Sequence, residues 1–168
     1  MKKALIVIDM QNDFITGSLK NAEAERILPL IVQRVNEFDG AIFATRDTHQ
    51  ADYLQSPEGA HLPVEHCIEN TEGWQIAPSL MQALQAKKAT FLDKPTFGYL
   101  GWGVLAFVDE VELVGTCTDI CVVSNALILK AMFPALTVKV NGALCAGTSE
   151  SNHKAALAVM ASCQVEVF

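Results

Sequence analysis

Val111-Glu112-Leu113-Val114-Gly115-Thr116-Cys117-Thr118-Asp119-Ile120-Cys121 is the stretch on which the reading of this 168-residue chain turns. The run Val111 to Val114 reads as a buried strand, Gly115 breaks it, and a helix-like stretch begins at Asp119. Cys121 therefore sits at a strand-to-helix turn. The start of a helix favours thiolate, and its free backbone N–H groups can receive a developing oxyanion. Two other reactive residues hold equivalent places: Asp9 ends Ala4-Leu5-Ile6-Val7-Ile8, and Lys94 follows Thr90-Phe91-Leu92-Asp93.

Outward from that stretch, short β-rich runs alternate with helical ones. Strands are expected over 4–8, 41–45, 89–92, 110–114, 136–140 and 164–168. Between them, 22–38 carries a helical stripe of Ile27, Leu28, Ile31, Val32 and Val35, and 78–87 starts on Pro78, a residue suited to a first helical turn. Residues 119–132 are apolar nearly all round, which predicts a helix buried against the sheet, and 150–162 follows the entry signal Ser149-Glu150. This alternation predicts an α/β fold: three α/β/α layers around a mainly parallel, six-stranded, Rossmann-like sheet, with 1–168 as a single domain. In such sheets ligands gather beyond the carboxyl ends of the strands, near a topological switch point, which puts Asp9, Lys94 and Cys121 on one edge. The irregular segment 46–77 is too long for a mere connection and is expected to carry function.

Composition narrows the classes. Half the residues are hydrophobic and 18% are charged, the profile of a compact globular chain. A formal net charge of −7 argues against nonspecific binding to nucleic acid or to an anionic membrane. The apolar run after Lys2-Lys3 is too short for a signal peptide, and no stretch reaches transmembrane length. The five cysteines are an odd number scattered through apolar surroundings, which favours reduced thiols in the cytoplasm.

With Ile6-Val7-Ile8-Asp9-Met10-Gln11-Asn12-Asp13-Phe14, Thr45-Arg46-Asp47-Thr48-His49, His66-Cys67, Asp93-Lys94-Pro95-Thr96-Phe97 and Gly115 to Cys121 in this order, the chain resembles the isochorismatase-like cysteine hydrolases, and within them the nicotinamidases. The resemblance spans most of the sequence. It implies Asp9, Lys94 and Cys121 as the catalytic set. It also implies a cis peptide between Thr116 and Cys117, an oxyanion hole made by the N–H groups of Cys117 and Cys121, and cleavage of a small amide such as nicotinamide through a thioester. The chemistry is consistent with the residue types: a thiol needs a base, and a nearby ammonium offsets the base's charge. Family members commonly self-associate, so a homo-oligomer is one expectation.

Asp47 and His49, two apart in an extended segment, project to the same side, and His66 can return across the loop as a third ligand. Two imidazoles and a carboxylate suit zinc, with iron(II) or manganese as alternatives. Order and spacing match the metal site of nicotinamidases, where the ion holds the pyridine nitrogen. Glu58 is a candidate fourth ligand and His61 a competing one, whereas His153 reads as structural or exposed. Phe14, Phe97 and Tyr99 could wall a flat substrate or simply pack. Thr48 and Ile120 stand where nicotinamidases often carry aromatics, changes that bear on pocket shape more than on chemistry. Three other readings stay open: a family hydrolase acting on an N-carbamoyl or ureido compound, a non-catalytic metal- or small-molecule-binding protein on the same fold, and a redox couple of Cys117 with Cys121.

Overall fold

The computed structural model describes residues 1–168. Six strands, β1 (Lys3–Ile8), β2 (Ala41–Asp47), β3 (Thr90–Lys94), β4 (Glu110–Thr116), β5 (Thr137–Ala146) and β6 (Glu166–Val167), form one parallel sheet in the order β3-β2-β1-β4-β5-β6. The chain builds outward from β1 to β3, crosses back to lay β4 beside β1, and builds outward again. Right-handed crossovers in opposite directions put their helices on opposite faces. Accordingly α2 (Ala22–Glu37) and α4 (Pro78–Ala86) pack on one face with Leu5, Val7, Ile42 and Ala44. The other face, with Ile6, Ile8, Val111 and Leu113, carries α5 (Val123–Met132) and α6 (Glu150–Ser162). Two short helices, α1 (Asn12–Ile15) and α3 (Pro57–His61), lie in the loops after β1 and β2.

The expected elements are present, with informative shifts. The long helix starts where its stripe begins because Asn21 caps it, accepting from the N–H groups of Glu23 and Ala24. Ile27, Ile31 and Val35 of that stripe are fully buried, each contributing on the order of 2 kcal/mol of hydrophobic stabilisation. The last strand is two residues long, not five. The predicted helix over 119–132 is divided: Thr118–Val122 forms a wide π-helical turn and regular α5 begins only at Val123. One face of α5 is buried, through Asn125, Ala126 and Leu129, while Met132 is exposed. Segment 46–77 is ordered around α3 and a short 3-10 turn at Tyr53–Gln55.

The switch point lies between β1 and β4, where Ile8 pairs with Gly115. Gly115 has φ +123°, and a Cβ there would stand 2.1 Å from the Ile8 carbonyl oxygen. Only glycine lets β4 stay paired to the last residue of β1, and the β4–β5 register shifts beside it, between Leu113 and Gly115. Gly115→Ala should therefore cost at least about 2 kcal/mol, measured by urea denaturation, because a strained φ and a backbone collision act together.

Candidate active site and metal cluster

Four strands deliver their carboxyl ends to one place. Asp9 follows β1, Asp47 closes β2, Lys94 closes β3, and Cys117 to Cys121 follow β4. The register pairs Asp47 with Lys94 directly across β2 and β3. Arg46 and Asp93, one residue earlier in each strand, point to the other side and form a two-bond ion pair of 2.6 and 2.9 Å. The period of two thus separates a surface salt bridge from a buried one.

Lys94 is fully buried and central. Its Nζ lies 2.6 Å from Asp9 Oδ2, 3.2 Å from Asp47 Oδ1 and 3.5 Å from Cys121 Sγ. Burial opposes its charge, but Asp9, Cys121 and Asp47 together outweigh that and hold its pKa above the usual lysine value. Asp9 is pushed up, chiefly by burial and then by the Asp47 charge, with Lys94 opposing. Asp47 moves the other way: burial would raise it, but hydrogen bonds from His49 and His66 and the charge of Lys94 hold it below the ordinary range.

The thiol departs from the expectation drawn from its place in the sequence. Cys121 is raised well above the usual cysteine value, by burial first and by the Asp9 carboxylate second, with Lys94 working against both. A helix start and a lysine do not by themselves make a thiolate when the sulfur is dry and faces a carboxylate. The geometry and burial place the sulfur beside a carboxylate. Cys117 is raised too, to about 11, mainly by burial.

The peptide bond from Thr116 to Cys117 is cis. The wide turn that follows is pinned at Asp119, which accepts from the N–H of Thr148 at 2.8 Å and from its hydroxyl. Thr118 Oγ1 and His153 Nδ1 are 2.8 Å apart, which ties His153 to the turn.

Asp47, His49 and His66 converge, and Glu58 joins them: one ligand atom from each of the four lies within 4.8 Å of the others. Asp47 Oδ2 is 3.0 Å from His49 Nε2 and 3.6 Å from His66 Nε2. Glu58 Oε1 is 3.7 and 3.8 Å from the same two nitrogens. Ligands held about 2.1 Å from a tetrahedral zinc ion stand roughly 3.4 Å apart, so this two-nitrogen, two-oxygen set fits a divalent ion. His66 Nδ1 is occupied by the Val64 carbonyl at 2.8 Å, which aims Nε2 at the cluster. His61, at the exposed end of α3, is outside the cluster.

A cavity of about 610 Å³ joins the two groups. Cys121 and Cys117 line one part, Asp47, Glu58 and His66 another, and Phe14 and Phe97 form apolar wall. Tyr99 is not on the wall; its ring packs edge-on against Trp102. Of the two departures from the usual aromatics, Ile120 faces the cavity. Thr48 does not: its hydroxyl donates to the Arg46 carbonyl at 3.0 Å and accepts from Trp74 Nε1 at 2.8 Å.

Several supporting residues have no role assigned by the sequence. Gln11, fully buried, accepts from the Asp47 N–H at 2.7 Å and donates to the Asp47 carbonyl at 2.8 Å, continuing the β1–β2 ladder with a side-chain amide. Tyr53 stands behind the histidine pair, its ring 4.7 Å from that of His49 and 5.0 Å from that of His66, its hydroxyl pushed up to about 12 by burial. Asn125 donates to the Cys121 carbonyl at 2.8 Å. The only signal for these was polarity at an otherwise apolar place, such as Asn125 within its helix.

The Isochorismatase domain family model matches residues 3–168, and the chain belongs to this family. It is 29% identical to the nicotinamidase/pyrazinamidase of Mycobacterium tuberculosis over 184 residues, 98% of this chain and 97% of that one. A crystal structure of nicotinamidase/pyrazinamidase from Bacillus subtilis is similar with a TM-score of 0.89 at 27% identity, covering 99% of both chains. The pyrazinamidase of Pyrococcus horikoshii, solved in complex with zinc, has a TM-score of 0.81 at 25% identity, covering 100% of this chain and 99% of that one.

Lys94→Met should lower stability by about 3–5 kcal/mol in urea denaturation, because it leaves Asp9 and Asp47 as uncompensated buried charges. Adding Asp9→Asn should restore part of that loss by removing one of them.

Proposed function

We propose that this single-domain chain is a cysteine amidohydrolase that cleaves nicotinamide to nicotinate and ammonia. The observation that carries the reading is the shared cavity: the Cys121 thiol, backed by a buried base and cation, lines it together with Asp47, Glu58 and His66 of the four-ligand cluster and with apolar side chains. The likeness to relatives that bear the name nicotinamidase supports the substrate.

Asp9 is the general base. Its raised pKa suits it to take the Cys121 proton as the sulfur adds to the carboxamide carbon, and the N–H groups of Cys117 and Cys121 receive the oxyanion. Cys117 N–H makes no hydrogen bond within the protein. Collapse of the adduct breaks the carbon–nitrogen bond, Asp9 returns the proton to the departing ammonia, and a thioester is left on Cys121. A water that yields its proton to Asp9 then releases the acid and regenerates the thiol. Lys94 keeps its charge throughout, holding Asp9 in place and stabilising negative charge as it forms on sulfur. Asp47, His49, His66 and Glu58 would hold a divalent ion, zinc being the best fit, and that ion would supply a fixed electrophilic anchor for the ring nitrogen. Five free cysteines fit a reducing compartment such as the cytoplasm.

Purified protein should release ammonia from nicotinamide, and Cys121→Ala should abolish this with the thermal midpoint unchanged within a few degrees. Turnover surviving in that variant would sink the thiol mechanism. No turnover in the parent, with Cys121 open to alkylation, would move the substrate to an N-carbamoyl or ureido compound. Asp47→Ala and Glu58→Gln should each lower the metal retained after dialysis, read by elemental analysis; unchanged content would remove those residues from the ligand set.

A further inference from the structure

Thr45 lies in β2 two residues before Asp47 and is fully buried. Nothing in the proposed chemistry uses it, yet its hydroxyl is committed twice to one partner. Oγ1 accepts from the backbone N–H of Asp9 at 3.2 Å and donates its single hydrogen to Asp9 Oδ1 at 2.6 Å. An ionised carboxylate can only accept, so the direction of the second bond is fixed by chemistry. The two bonds close a small ring that fixes the backbone of Asp9, where φ is +49°, together with the roll of its carboxyl group.

The two oxygens of Asp9 are thereby made unequal. Oδ1 holds a short hydrogen bond from a neutral donor. Oδ2 has no neutral donor and faces the ammonium of Lys94, whose Nζ stands 2.6 Å away. The same ammonium is 3.5 Å from Cys121 Sγ, so Oδ2 and the thiol share one neighbour. We propose that Thr45 is a positioning residue that fixes the orientation of the Asp9 carboxyl group, holding Oδ2 against the ammonium that also neighbours the thiol. The inference rests on the reading of Asp9 and Cys121 as base and nucleophile.

Without the hydroxyl, Asp9 Oδ1 and the Asp9 N–H are both left unpaired in a dry site. The carboxyl group then turns to share its oxygens among the remaining donors, and proton transfer from sulfur loses its fixed acceptor. Valine has nearly the same shape and favours strands, so Thr45→Val removes the bonds with little change to the sheet. Serine keeps the hydroxyl and loses only a methyl group.

The test compares parent, Thr45→Val and Thr45→Ser by two readouts: kcat and KM with nicotinamide, and the rate at which iodoacetamide alkylates Cys121, resolved from the other cysteines by peptide mass spectrometry. Thr45→Val should lower kcat and slow Cys121 alkylation roughly ten- to a hundredfold, the size of one hydrogen bond to a charged group, with KM little changed. Thr45→Ser should stay within a few-fold of the parent on both. Val equal to the parent on both readouts, or Ser falling as far as Val, would overturn the assignment. If the parent fails to turn over nicotinamide, the substrate reading falls, and the alkylation rates, which need no substrate, still decide the role of Thr45.

Discussion

A single ammonium group, taken wholly out of water, holds this end of the molecule together. Lys94 is the counter-ion of two carboxylates that reach it from different strands, and neither is tolerable there without it. Stripping water from three charges is expensive, and the cost is offset only because the geometry is close and the remaining oxygens have donors of their own. Thr45 serves Asp9, and the histidines serve Asp47. The site is accordingly a network in which each member justifies the burial of the next.

Topology explains how so short a chain assembles it. Reversal of winding between β1 and β4 opens the crevice in which Asp9 and the turn bearing Cys121 meet. The β2 and β3 ends supply Asp47 and Lys94 from the side, and the long segment after β2 folds over them, bringing Glu58 and His66. Asp47 spans the two chemistries through its separate oxygens, Oδ1 toward the ammonium and Oδ2 toward the imidazoles.

Strand ends made much of this legible in the sequence. A reactive residue that follows a strand-like run can be assigned to the sheet edge without knowing its partners, which serves for Asp9 and Lys94, and Cys121 is assigned from the strand-to-helix turn after Gly115. Asp47 with His49 followed from the period of an extended chain. Glu58 and His61 could not be separated, because both belong to one short helix whose orientation is set by packing; the fold turns Glu58 toward the imidazoles and leaves His61 exposed. Thr45 and Gln11 lie within the quoted motifs, but the sequence assigns them no role for another reason. A threonine in a strand is an ordinary β-former, and a glutamine after one is an ordinary polar residue, so only three-dimensional contacts reveal what each one holds. Position along the chain reports the helix start and the lysine near Cys121 but not the burial that raises its thiol.

Lys94 also occupies the last residue of β3, and β3 is the outer strand of the sheet, with a neighbour on one side only. Outer strands commonly open at a lower free energy than the whole domain. Here such opening would draw the ammonium away from Asp9 and Asp47 and leave their charges facing each other in a dry interior. Detachment of the strand and collapse of the reactive centre are therefore one event. The periphery of the sheet is thereby tied to its reactive centre, and the amides of β3 should exchange their hydrogens in step with the residues around Asp9.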